Sequence, residues 1–189
     1  PLAGAIRKAK EKDPGAGVIL LTPQGRLFDH QMAQHLAGLS SLILICGRYE
    51  GVDERICLDL VDEELSIGDY VLSGGELAAM VVIDAVSRLI PGALGNEESA
   101  QQDSFSMGLI KHPQYTRPRD FERSQVPEVL LSGNHEAIKQ WRQQTSIIRT
   151  FLKRPDLLSD IPLTLEDVAF LKKLKRDIER LINKHSATS

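Results

Sequence analysis

Apolar residues along this chain fall into two kinds of run. Val18-Ile19-Leu20-Leu21 and Leu42-Ile43-Leu44-Ile45-Cys46 are short, unbroken and bounded by turn-forming residues. Runs of that length without polar interruption predict strands buried on both faces. A third strand is expected over residues 61–67. Between these runs the spacing predicts helices over residues 2–11, about 29–37 and 54–60. Asp13-Pro14-Gly15 stops the first helix, while Asp29 can cap the second and Gly38 can end it. Thr22-Pro23-Gln24-Gly25 reads as the turn that closes the first strand. Short apolar strands separated by helices imply an α/β fold built on a parallel sheet.

The longest apolar segment, residues 77–90, is of another kind. Only Asp84, Ser87 and Arg88 are polar, and Pro91-Gly92 stops it. Ser73-Gly74-Gly75-Glu76 in front of it matches a capping box. A helix so apolar must be covered nearly all round, and a second subunit is a natural source of part of that cover. Residues 95–110 lack a sustained apolar period and are expected to be a linker. Pro113, Pro118 and Pro127 keep the next stretch irregular, and helices follow over about 134–152 and 164–184. The expected organisation is therefore an α/β domain over 1–94, a linker over 95–110 and a small helical domain over 111–189.

Composition narrows the function class. Hydrophobic content of 42% with 26% charge suits a globular domain, and Asp84 and Arg88 interrupt the one candidate membrane segment. No membrane partner is expected. Cys46 and Cys57 stand apart from any CxxC or histidine spacing, so zinc is not expected. A buried, reduced Cys46 would fit the cytoplasm. The chain begins at Pro1 with no signal-peptide pattern, and an upstream segment is expected. The net charge of −3 argues against bulk electrostatic binding of nucleic acid. Residues 111–154, however, hold nine Lys/Arg against four Asp/Glu, a local excess of +5. Such a segment is either an RNA footprint or a solvated helical face.

Two glycine-rich stretches carry the chemistry. Gly47-Arg48-Tyr49-Glu50-Gly51 follows the second strand, and Ser66-Ile67-Gly68-Asp69-Tyr70-Val71-Leu72-Ser73-Gly74-Gly75-Glu76 precedes the apolar helix. Glycines at strand exits let backbone approach a ligand closely, so the two stretches are expected to wall one pocket. Neither has phosphate-cradling spacing, which turns the reading away from NAD and ATP. A ligand held by backbone amides and carbonyls, such as an adenine with its ribose, fits better. Taken alone, Arg88 reads as the i,i+4 partner of Asp84, Asp103 as a solvated loop acid, and Trp141 as helix core. No nucleophile elbow or triad is visible. Two classes stay open on these grounds: an enzyme using a nucleoside-containing cofactor on RNA, or a non-catalytic binding module.

Longer motifs resemble a known family. Thr22-Pro23-Gln24-Gly25-Arg26, the run from Gly47 to Arg55, the run from Ser66 to Leu77, Ser87-Arg88, Asp103-Ser104-Phe105, Tyr115-Thr116-Arg117-Pro118 and Val129-Leu130-Leu131-Ser132-Gly133-Asn134-His135 strongly resemble the bacterial tRNA (guanine-N1)-methyltransferases of the SPOUT superfamily. The resemblance implies methyl transfer from S-adenosylmethionine to N1 of the guanosine immediately 3′ of the tRNA anticodon. It implies a parallel sheet ending in a trefoil knot, a homodimer with a shared active site, and tRNA as partner. It implies that Leu20, Leu21, Thr22, Pro23, Gly47, Tyr49, Glu50, Ser66, Ile67, Gly68, Asp69, Tyr70, Val71, Leu72, Gly74 and Gly75 surround the cofactor. Asp103 matches the family's general base and Arg88 its partner arginine. Tyr115, Arg117, Arg119 and Arg123 are the expected RNA contacts. Magnesium is associated with the family's catalysis, although the chain shows no carboxylate cage for it. Leu20 departs from the tyrosine common at the cofactor rim, and the family's first strand, helix and glycine-rich loop precede anything present here. A SPOUT enzyme acting on ribosomal RNA or another tRNA position, and a non-catalytic RNA-binding module, are the alternatives.

Overall fold

The structure, a computed structural model, describes residues 1–48, 51–93, 103–106, 108–159 and 161–186. The chain divides into two compact units, Pro1–Ala100 and Gln101–Ser189. Unit 1 runs α1 (Leu2–Lys12), β1 (Gly17–Leu27), α2 (His30–Ala37), β2 (Leu42–Cys46), α3 (Glu54–Leu60), β3 (Glu63–Ser66) and α4 (Glu76–Ser87). The strands form a parallel sheet in the order β2-β1-β3. Expected elements and observed ones agree closely here, because both faces of the central strand are buried. Ile19 and Leu21 pack with Met32, Leu36, Leu65 and Val82, under α2 and α4. Val18 and Leu20 point the other way and pack with Ile6 and Ile45, under α1 and α3. An alternating strand with no polar face has nowhere to go but the middle.

Two local readings change, and a third takes a sharper form. Thr22-Pro23-Gln24-Gly25 does not end β1. The ladder to β3 pairs Leu21 with Leu65 and then Arg26 with Leu65 again, so the four residues between stand out of register. Gly25 allows the return, since a Cβ there would overlap the backbone of Glu64 and Leu65. The capping box expected at Ser73 and Glu76 does not form. Gly75 is the N-cap of α4 with no side-chain cap, and Glu76 instead accepts from Arg48 Nε at 2.7 Å. Lastly, α4 is buried only along Ala78, Ala79, Val82 and Val86. Leu77, Met80, Val81 and Ile83 are 46–65% exposed on the single chain, which leaves the face for which a second subunit is the expected cover.

Unit 2 holds a short hairpin of β4 (Asp120–Phe121) and β5 (Ser124–Gln125), a 3-10 turn over Glu128–Leu131, and helices α5 (His135–Lys153) and α6 (Leu165–Ser186). The hairpin was not expected; its strands are two residues long, too short for any alternation to register. Asn134 caps α5 by accepting from Ala137 N at 3.1 Å. A reciprocal cap does form at Thr164, which donates its N–H to Asp167 while its hydroxyl accepts from Asp167 N. Asp167 is buried and also accepts from Gln143 on α5. The linker expected over 95–110 lies largely outside the described residues. Its described end, with Leu109 buried, belongs to unit 2.

Leu65 is 1% exposed where β3 meets α4, whereas Leu58 on α3 is 75% exposed. In denaturant unfolding followed by circular dichroism, Leu65→Ala should cost about 2–5 kcal/mol. Leu58→Ala should stay within about 0.5 kcal/mol of the parent.

Candidate functional site: a glycine-walled cleft and a basic aromatic groove

The three parallel strands of unit 1 end at one edge, and there a cleft of about 360 Å3 opens. Open parallel sheets bind ligands at this carboxyl edge. The loop after the first half of β1 contributes Leu20, Leu21, Thr22 and Pro23, and the exit of β2 contributes Gly47. The segment after β3 contributes Ser66, Ile67, Gly68, Tyr70, Val71 and Leu72, followed by Gly74 and Gly75. Asp69 lies in the same turn but off the cleft wall, and Tyr49 and Glu50 lie outside the described residues.

The two glycine stretches are directly joined. Gly75 N donates to Gly47 O at 3.0 Å, and Arg48 bridges Gly74 in antiparallel fashion. A Cβ on Gly75 would sit 2.8 Å from Cys46 Cα, closer than real contacts allow. The Arg48–Glu76 pair closes the junction at 2.7 Å, and both side chains are half exposed or more. Such an exposed pair contributes at most about 1 kcal/mol. The backbone contact, and not the ion pair, sets this geometry.

The opposite wall is preset by its own hydrogen bonds. Ser66 Oγ donates to Gly68 O at 3.1 Å and accepts from Gly68 N at 3.2 Å. Gly68 has φ +149°, which strains other residues, and a Cβ there would run into the Tyr70 ring. Tyr70 in turn donates its hydroxyl to Ile67 O at 3.2 Å. Glu54 and Glu64 also line the cleft, and they leave an electrostatic trace. Burial raises the Cys57 thiol pKa, and the nearby Glu64 and Glu54 carboxylates raise it further. Cys46 is raised by burial and by Glu76. Both thiols are free and half-buried, so Cys46 is less enclosed than its strand suggested.

In unit 2 a groove of about 480 Å3 is lined by Tyr115, Arg117 and Arg119, all expected RNA contacts. Arg123 is not on its wall; it follows Glu122 in the hairpin turn. His112, Arg142 and Trp141 were not foreseen as parts of one feature. The Trp141 ring lies 6.4 Å from His112 and 6.3 Å from Tyr115 by centroids. The signal available in the sequence was only that aromatic residues recur within a basic segment. Burial lowers the His112 pKa, and Arg142, Lys111 and Arg149 lower it further, against a contact to Pro113 O that raises it. Arg88 is the C-cap of α4 in unit 1, and Asp103 opens a turn in unit 2. Among the described residues, no group of three or more His, Cys, Asp or Glu is placed to hold a metal ion, and no helix is long and apolar enough to cross a membrane.

Residues 1–160 match the family model described as tRNA (Guanine-1)-methyltransferase TrmD. The chain is 55% identical over 182 residues to the tRNA (guanine-N(1)-)-methyltransferase of Desulfatibacillum aliphaticivorans, covering 96% of this chain and 70% of that protein. It is 56% identical over 176 residues to the protein of that name from Geotalea uraniireducens, covering 93% and 71% respectively. For the Moorella thermoacetica protein of that name the identity is 60% over 159 residues, covering 84% and 64%. With a family match over most of its length and relatives this similar, the chain belongs to the TrmD family of tRNA (guanine-1)-methyltransferases.

Proposed function

We propose that this chain is an S-adenosylmethionine-dependent methyltransferase that modifies N1 of the guanosine immediately 3′ of the anticodon in tRNA. One observation carries the reading: in a member of this family, the two glycine stretches meet backbone to backbone around a single cleft. The cleft suits the cofactor on its own terms. Its volume lies in the range of ordinary small-molecule sites, about 300–1,000 Å3. Gly68, Gly74 and Gly75 line the cleft and pack where a Cβ would strike neighbouring protein atoms, and backbone amides and carbonyls on such a wall can read an adenine. Glu54 and Glu64 place negative charge where a sulfonium or ammonium group would be welcome.

In this reading Leu20 to Pro23, Gly47, Tyr49, Glu50, and the run from Ser66 to Leu72 with Gly74 and Gly75 hold the cofactor. When bound, the cofactor supplies an activated methyl group on sulfur. N1 of neutral guanine bears a proton and has no free lone pair. The Asp103 carboxylate would accept that proton and free the N1 electron pair to take the methyl group, the methyl–sulfur bond breaking so that the sulfonium leaves as a neutral thioether. Negative charge that builds on O6 is stabilised by the Arg88 guanidinium. The proton leaves Asp103 to water afterwards. Alignment of N1 with the methyl group is the larger part of what the protein contributes.

The groove of unit 2 serves the RNA, with Tyr115, Arg117, Arg119 and Arg123 as contacts. Aromatic rings beside guanidinium groups suit unstacked bases and phosphates of a loop. A homodimer is part of the proposal, supported by the exposed Leu77, Met80, Val81 and Ile83 on α4. The family's trefoil-knotted topology and a cytoplasmic location go with it.

The deciding experiment incubates the protein with labelled S-adenosylmethionine and tRNA, beside a tRNA lacking the guanosine after the anticodon and beside ribosomal RNA. Label confined to the guanosine-bearing tRNA is expected. Label in both, or only in ribosomal RNA, would point to another target, and none at all to a binding module. Asp103→Ala should reduce methyl transfer at least about 100-fold with cofactor affinity unchanged in calorimetry. Retained turnover would remove Asp103 as the base. Replacing Arg117, Arg119 and Arg123 together by Gln should weaken tRNA binding and flatten the plot of log K against log salt by about two units of slope. An unchanged slope would mean that the basic segment is only a solvated face.

A further inference from the structure

Asp103 does not stand as a lone loop acid. Lys111 Nζ lies 2.8 Å from Asp103 Oδ1, and the two side chains are 27% and 34% exposed respectively. Hydrogen bonds join the described residues between them. Lys111 N donates to Ser104 Oγ at 3.0 Å, Phe105 N to Leu109 O at 2.9 Å, and Gly108 N to Phe105 O at 3.0 Å. Phe105 adopts φ 74°, and Gly108 does the same where a Cβ would collide with Ile161. The loop is fastened to α5, because Ile110 N donates to Thr150 Oγ1 at 2.9 Å. Thr150 is fully buried and donates that hydroxyl to Ser146 O at 2.7 Å. Lys111 thus follows a residue hydrogen-bonded to a buried threonine of α5, and its ammonium group ends on the proposed base.

We propose that Lys111 is a positioning residue for Asp103, holding the carboxylate in one orientation through a charge-assisted hydrogen bond. The inference rests on the methyl-transfer reading above. A partly exposed ion pair adds little to folding stability, so stability is a weak reason for its presence. Orientation is a stronger one. A base must meet the N1 proton within hydrogen-bond distance, and an ångström of misplacement lowers rates sharply. Charge-assisted bonds are short and directional enough to keep a two-torsion side chain in place. The competing role for Lys111 is a direct phosphate contact to tRNA, which predicts a different pattern of losses.

The test uses the full chain with Lys111→Met and Lys111→Arg, each alone and the first also combined with Asp103→Ala. Melting temperatures serve as the folding control. Single-turnover methyl transfer in Lys111→Met should fall about tenfold while tRNA and cofactor affinities stay within about twofold. Lys111→Arg should restore most of the rate, since a guanidinium can reach the same oxygen. In the Asp103→Ala background, Lys111→Met should cause no additional loss. Carbon-13 NMR of the Asp103 carboxyl gives a readout independent of turnover. Removing the adjacent cation disfavours the ionised form, so the titration midpoint should move to higher pH in Lys111→Met and return in Lys111→Arg. An unmoved midpoint, an additive loss in the double variant, or a loss that tracks tRNA affinity overturns the proposal. So does an unchanged rate in Lys111→Met when the parent methylates tRNA. A parent chain that transfers no methyl group overturns the methyl-transfer reading itself, and this assignment with it.

Discussion

The contact on which unit 1 depends is the one between Gly47 and Gly75. A single backbone hydrogen bond of 3.0 Å joins the exit of β2 to the start of α4. It can form because Gly75 has no side chain, since a Cβ there would strike Cys46, whereas a Cβ on Gly47 would only touch Val52 Cγ2 at 3.4 Å. That constraint places the first turn of α4 against the sheet edge and brings Ala78 and Val82 over Ile19 and Leu65. It also draws the segment after β3 across the cleft, so the same contact that seats a core helix shapes a ligand wall. Packing and binding are therefore coupled at this point.

Around that junction, local hydrogen bonds do what long-range packing does elsewhere. Ser66, Gly68 and Tyr70 hold their turn through contacts no more than three residues apart. The described residues from Asp103 to Lys111 are likewise joined by hydrogen bonds, and Ile110 is fastened by one buried threonine. The cleft of unit 1 carries charges of both signs in Glu54, Glu64 and Arg48, whereas the groove of unit 2 is lined by Arg117, Arg119 and Arg142.

Much of the fold was legible before any coordinates, and for a definite reason. β2 and α3 fall on the expected residues, and α2 starts after Asp29 as its capping carboxylate implied. Continuous apolar runs have only one stable environment, so residue type settles position. The misreadings share a cause as well. Thr22 to Gly25 carries turn-forming residues, yet pairing on both sides of it keeps β1 intact around a bulge. Ser73 to Glu76 has capping chemistry, but Arg48, distant in sequence, takes the glutamate. Local propensity yields wherever a partner from elsewhere in the chain offers a better contact.

By itself the sequence determined the α/β class, the order of the elements, the glycine stretches as pocket walls and, through its motifs, the family. These follow from patterns that span a few neighbouring residues. Only the tertiary structure decided that Gly75 rests on Gly47, that Glu54, Glu64 and Cys57 share the cleft, and that Trp141 meets His112 and Tyr115. It alone set Lys111 on Asp103, eight residues away along the chain and 2.8 Å away in space. The physical reason is the same in each case. Hydrophobic periodicity specifies which face of an element is buried, but not which polar groups from other segments meet at its ends.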